Sequence, residues 1–196
     1  MELADAAASW ARDLLGGEES PLWLHVQKVV ELCQQLAPST TPVDREVLLL
    51  AAYLHDVGRA TGTAPGHEQR SAQEARRFLA GRGIPPQRVE RVAQAILAHV
   101  DPVWGPEREA LSMEARILYD ADKLQRASGL TALDVLWQAA RESPDQSPAA
   151  FRSLLARARR HQEDVYGSLY TDRARQMASE GYRAALNYID ALSRLI

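Results

Sequence analysis

Apolar residues recur at helical spacing along nearly the whole chain, and runs of β-branched residues with period two are absent. This pattern restricts the chain to an all-α fold. Helices are expected over Leu3–Leu15, from Ser20-Pro21 onward, over Asp44–Val57, over His67–Ala80 and from Pro85-Pro86 onward. Further helices are expected from Ser112 to Leu124, Thr131 to Arg141, Pro148 to Val165 and Thr171 to Leu195. Gly58 is a natural stop, the stretch Arg59–Gly66 must be a loop, and Gly81–Gly83 is a break. Asp101–Pro106 and Ser143–Ser147 read as loops. The last helix is amphipathic through Met177, Tyr182, Leu186, Ile189 and Leu192 and reads as a closing helix.

The stripes carry an unusual cargo. His25 lies on the stripe Val29, Leu32, Cys33, Leu36, and His55 follows Val47, Ala51 and Leu54. His67 lies with Ser71, Ala75 and Phe78, and His99 with Val89, Val92 and Ile96. Asp122 aligns with Ala115 and Leu118. One inward histidine is an ordinary satisfied core residue. Four inward histidines, with Asp56 and Asp122, on five helices would be costly to bury unpaired. A divalent metal resolves that cost, because its ligands are held deprotonated by the ion. The order His25 … His55-Asp56 … Asp122 supplies enough nitrogen and oxygen donors. A metal held so, with open positions, can activate water and grip a phosphate.

Composition narrows the alternatives. A chain of 196 residues can bury a full core without disulfides or a structural metal, so a metal here is functional. It reads as one domain over 1–196, because no composition shift marks a boundary. The formal net charge of -3 gives no support for a nucleic-acid-coating protein. Cys33 is the only cysteine, so no intrachain disulfide can form. Val47–Leu54, the longest strongly apolar run, is far short of the roughly 20 residues that span a bilayer. A soluble, cytoplasmic protein with no membrane partner is expected. No phosphate-binding Gly-rich loop, His-Glu-x-x-His or Gly-x-Ser-x-Gly elbow is present, which argues against a serine or cysteine nucleophile.

These residues carry a family resemblance. Leu24-His25-Val26, Leu54-His55-Asp56-Val57-Gly58-Arg59 and Asp120-Ala121-Asp122-Lys123-Leu124 resemble the HD superfamily of metal-dependent phosphohydrolases. Gly66-His67-Glu68, Ala95–His99 and Tyr170-Thr171 … Ala174-Arg175 are similar to small bacterial single-domain members. The resemblance implies an HD-type helical bundle with a metal held by His25, His55, Asp56 and Asp122. Asp120 is the rival of Asp122 and is expected to face water or a basic neighbour. His67 and His99 are either second-metal ligands, with Asp56 bridging two ions, or pocket residues that contact phosphate or protonate a leaving group. One tightly held metal is the favoured count. Such donors suit Mn, Fe, Co, Ni or Zn, and Mg is also admitted.

The function implied is hydrolysis of a nucleotide or similar small phosphate ester, with Asp56, His67, His99 and Arg59 as catalytic residues. The rivals are a metal-stabilised nucleotide-binding regulatory module without turnover and an HD-fold dinuclear iron oxygenase. Arg59, Lys123 and His161 are otherwise expected as solvated surface groups. Trp104 is expected to pack locally rather than stack on a base. The closing helix either covers the core or pairs with another subunit in a homo-oligomer.

Overall fold

The computed structural model describes residues 3–62, 66–126, 137, 141 and 147–195. The described residues form α-helices and one 3-10 turn, with no strand. They fall into two compact units, residues 1–121 and 122–196.

The first unit holds α1 (Leu3–Leu14), α2 (Pro21–Leu36), α3 (Arg45–Leu54), a 3-10 turn (Val57–Arg59), α4 (His67–Ala80), α5 (Pro86–Leu97) and the short α6 (Glu107–Ala110). α7 (Met113–Arg126) starts in it, and the division falls between Ala121 and Asp122. α3 is apolar on nearly every side, with Val47, Leu48, Leu50, Ala51, Ala52 and Leu54 buried. A helix of that kind must be surrounded, and α3 packs against α1, α2, α4 and α5. Its start is fixed twice. Asp44 caps it by accepting from the Val47 amide at 3.2 Å. The Asp44 amide in turn donates to buried Glu114 at 2.8 Å, and Arg91 also donates to Glu114, at 3.0 Å.

α3 ends at Leu54 rather than at Val57. The chain leaves the helix at Asp56, whose φ of -112° and ψ of 5° are not helical, and tightens into the 3-10 turn. Gly58 sets this geometry. A Cβ there would lie 2.4 Å from the His67 carbonyl oxygen and 2.6 Å from the Ser71 amide nitrogen. Only glycine lets the turn approach α4 so closely. The Gly58 amide donates to Ser71 Oγ at 2.9 Å, and Arg70 Nε donates to the Gly58 carbonyl at 3.0 Å. α4 begins at His67, as its spacing predicts, and buries His67, Ser71, Ala75 and Phe78. α5 opens on Pro86 and buries Val89, Val92 and Ile96. α6 was not legible: its four residues bury nothing and so leave no apolar stripe.

The second unit contains α8 (Pro148–Ser168) and α9 (Asp172–Ser193). Ser147 and Thr171 cap them through bonds from the Ala150 and Ala174 amides. Leu154, Leu155, Ala158 and Ile189 form the core between the two helices, with Phe151 and Leu192 against it. The buried stripe of α9 is Ala174, Ala178, Ala185 and Ile189. The larger Met177, Tyr182, Leu186 and Leu192 flank it half-buried. Small residues let the backbones close up, and Tyr182 instead stacks on Tyr166, with centroids 4.2 Å apart. The expected helix from Thr131 to Arg141 and the loop from Ser143 lie outside the described residues, apart from Trp137, Arg141 and Ser147. Among the described residues no helix is long and apolar enough to cross a membrane.

Candidate metal centre

The site is built around Asp56, whose side chain is 3% exposed. His55 and His99 are placed by the same device. Each sits just past the end of a helix, where the last carbonyls lack intrahelical donors. His55 Nδ1 donates to the Ala52 carbonyl at 2.8 Å, and His99 Nδ1 donates to the Ile96 carbonyl at 2.5 Å. A carbonyl can only accept, so in the neutral rings Nδ1 carries the proton and Nε2 presents its lone pair.

Those lone pairs converge. His25, on α2, brings Nε2 to 3.3 Å from His55 Nε2. His25 Nε2 and His55 Nε2 lie 3.6 and 3.8 Å from Asp56 Oδ2. On the other oxygen, His67 Nε2 and His99 Nε2 lie 3.3 and 3.8 Å from Oδ1. The rings run in the order His25, His55, His99, His67, with successive centroids 5.4, 5.0 and 5.4 Å apart. The donor atoms of His55, Asp56 and His99 all lie within 4.8 Å of one another.

One atom tests whether a cation belongs here. Asp56 Oδ1 is buried and has no hydrogen bond among the described residues. Leaving a buried acceptor unsatisfied costs about 1–3 kcal/mol, and more when it is charged. The His67 and His99 Nε2 atoms lie 3.3 and 3.8 Å from it. A carboxylate ringed by nitrogen lone pairs is a donor set for a divalent ion, so these residues fit the metal that the sequence implies.

Arg59 closes the site. Its Nε forms an ion pair with Asp56 Oδ2 at 2.7 Å, and its Nη2 donates to His67 Nε2 at 3.1 Å. Glu68 Oε2 lies 3.4 Å from His67 Nδ1. Burial alone would raise the Asp56 carboxyl, but its neighbours His55, His99 and Arg59 outweigh burial and hold the group far below the usual carboxylate range. Burial, then the Arg59 charge, pushes the His67 imidazole below its ordinary value, against the pull of Asp56.

Several expectations need correcting. Arg59, given both as a catalytic residue and as a solvated charge, is 28% exposed at its side chain, and its i,i+3 spacing from Asp56 on a tight turn brings it onto the carboxylate. Lys123 is 7% exposed and donates to Asp122 Oδ2 at 2.8 Å, a buried pair on α7. Asp120 is fully buried and does not face water. His161 is half-buried on α8. Trp104 is 59% exposed, with the Arg108 guanidinium carbon 5.7 Å from its ring centroid. Glu68 was missed, although it directly follows His67 at the start of a helix.

Residues 22–127 match the HD domain family, which is more than half of the chain. No match is found among curated proteins. Solved structures resemble it over nearly its whole length. The YpgQ protein of Bacillus subtilis, in complex with ADP, is 24% identical, with a TM-score of 0.67 over 98% of this chain and 94% of its own. An HD-superfamily hydrolase from Bacillus thuringiensis is 16% identical, with a TM-score of 0.69 over 96% and 94%. A predicted HD superfamily hydrolase from an uncultured Thermotogales bacterium is 22% identical, with a TM-score of 0.62 over 96% and 90%. At these identities the likeness speaks for the fold, while the sequence match and the ring of imidazoles about the His55-Asp56 pair speak for the family: the chain belongs to the HD domain family.

Proposed function

We propose that this protein is a metal-dependent phosphohydrolase acting on nucleotides or related small phosphate esters, with 1–196 working as one HD domain. The observation that carries the reading is the convergence of His25 and His55 Nε2 on Asp56 Oδ2, at 3.6 and 3.8 Å, in a buried cluster where the donor atoms of His55, Asp56 and His99 lie within 4.8 Å of one another. His25, His55 and Asp56 would hold the ion, and the family pattern supplies Asp122 as the fourth ligand. Mn, Fe, Co, Ni, Zn and Mg are the candidates. When bound, such an ion lowers the pKa of water to about 7 and offsets charge on phosphoryl oxygens.

The protein groups then have separable tasks. Asp56 stays ionised well below neutral pH, so it orients the attacking water by accepting its proton in a hydrogen bond. Arg59 is 28% exposed at its side chain and reaches from solvent to Asp56. A guanidinium has five N–H donors, and those not turned to His67 and Asp56 can meet a phosphoryl oxygen. His67, held neutral and accepting from Arg59, orients that guanidinium rather than donating a proton. His99 lines the same wall.

A site whose histidines are arranged as acceptors suits a leaving group that departs without a dedicated acid. Phosphate and pyrophosphate are of that kind, which favours nucleotide polyphosphates. The structural neighbour YpgQ, in complex with ADP, supports the same class. The test is release of phosphate or pyrophosphate from a panel of nucleotides and simple esters with Mn, Mg, Co or Ni, and Asp122→Ala as control. Turnover of one class, abolished in the variant, is expected. Tight nucleotide binding without product would favour the regulatory module, and oxygen consumption with bound iron would favour the oxygenase.

A further inference from the structure

We infer that Arg59 fixes the metal count at one, by occupying the nitrogen lone pair that a second ion on the His67 side would need. The inference rests on the metal-centre reading above and deepens it. A neutral imidazole has one in-plane lone pair. In His67 it is on Nε2, because Arg59, which can only donate, hydrogen-bonds there, while Nδ1 has no hydrogen bond among the described residues and Glu68 Oε2 lies 3.4 Å from it. Arg59 Nη2 donates to Nε2 at 3.1 Å. That pair can accept from the guanidinium or ligate an ion, but not both.

The arrangement is built rather than incidental. Arg59 ends the 3-10 turn that Gly58 presses against α4, and His67 is the first residue of α4. The joint that brings the turn to the helix therefore also brings the guanidinium to the ring. The same guanidinium pairs with Asp56 Oδ2 at 2.7 Å, so it links the carboxylate to His67 as a second cation would. Charge counts in the same direction. With one divalent ion, the positive charge of ion and Arg59 is already matched by Asp56, the proposed ligand Asp122 and Glu68. A further dication beside a guanidinium, in a buried site, is opposed by unscreened repulsion.

The test is metal stoichiometry, read by isothermal titration and elemental analysis with Zn and Mn on the full chain. Wild type is expected to bind one equivalent tightly. Arg59→Met, which keeps the stem and removes the donors, is expected to bind a second equivalent at least about tenfold tighter than wild type does, the scale of outer-shell effects on metal affinity. Adding His67→Ala to that variant should abolish the gain. In wild type, ring-nitrogen NMR during zinc addition should show His25 and His55 shifting while His67 Nε2 keeps its Arg59-bonded resonance. This second readout decides the matter if Arg59→Met does not fold. Two equivalents of similar affinity in wild type, ligation of His67 in the zinc spectrum, or a folded Arg59→Met that stops at one equivalent would overturn the inference and leave the hydrolase reading standing. A wild type that binds no ion would overturn both.

Discussion

The Gly58 amide donates to Ser71 Oγ at 2.9 Å, and through this contact the end of the His-Asp segment is held against α4. That single joint places Asp56 3.3 Å from His67 and carries Arg59 to both.

Gly58→Ala should therefore be felt in stability and site geometry together. The new Cβ would meet backbone atoms of His67 and Ser71 at 2.4 and 2.6 Å, which cannot swing away as a side chain would. Overpacking of this kind costs about 1–3 kcal/mol. Urea denaturation should show that loss, and metal affinity should fall although no proposed ligand is changed. Wild-type stability in the variant would mean the turn is not pinned.

His67 gives a pH signature in the metal-free protein. Its folded value is depressed, first by burial and next by Arg59, so the folded state disfavours the charged ring. The unfolded chain then binds the proton more readily. The contribution of His67 is fully present above the ordinary imidazole value, about 6.5, and is lost as pH falls through that value toward the folded one. Histidine-resolved NMR should give a midpoint below 6.5, and Arg59→Met should raise it. A His67 midpoint above the ordinary value would contradict the assigned contact with Arg59.

Glu114 is predicted to act on the fold and not on the chemistry. It accepts from the Asp44 amide at 2.8 Å and from Arg91 at 3.0 Å. Glu114→Ala strands the amide that starts the central helix, at a cost of about 1–3 kcal/mol. Glu114→Gln keeps an acceptor and should recover part of this. Thermal denaturation of the two variants separates these effects, and turnover per folded molecule should be unchanged in both.

Asp122→Ala should lose metal while keeping its helicity. Asp122 Oδ2 is held by Lys123 at 2.8 Å, and the substitution leaves that buried lysine without this acceptor, so a modest fall in melting temperature accompanies it. Circular dichroism with metal analysis distinguishes the outcomes. A cooperative collapse of the helices would instead assign Asp122 a structural role.

How far the sequence could be read follows from what each residue depends on. The start of α4 at His67 and the buried stripes of α3, α4 and α5 were legible because amphipathic periodicity is local. The His25, His55, Asp56, His67 and His99 cluster was legible because polar groups on apolar stripes demand a common explanation. The early end of α3 was not, because it depends on how closely Gly58 meets a helix nine residues later. Lys123 was misassigned to solvent because a cation's burial depends on a partner carboxylate, here Asp122, which composition does not reveal. The small-residue stripe of α9 was hidden for a related reason. Alanine marks a close helix contact only when the neighbouring helix is known.

The most direct test of the account is metal retention by wild type and Asp56→Ala, each purified after exposure to Mn and measured by elemental analysis alongside circular dichroism. The account predicts about one divalent ion per chain in wild type, as expected when a buried donor set is satisfied by metal. It predicts loss of that ion in a still-helical variant. Equal metal content in the two proteins, or none in either, would contradict the claim that the carboxylate of Asp56 exists to hold a metal.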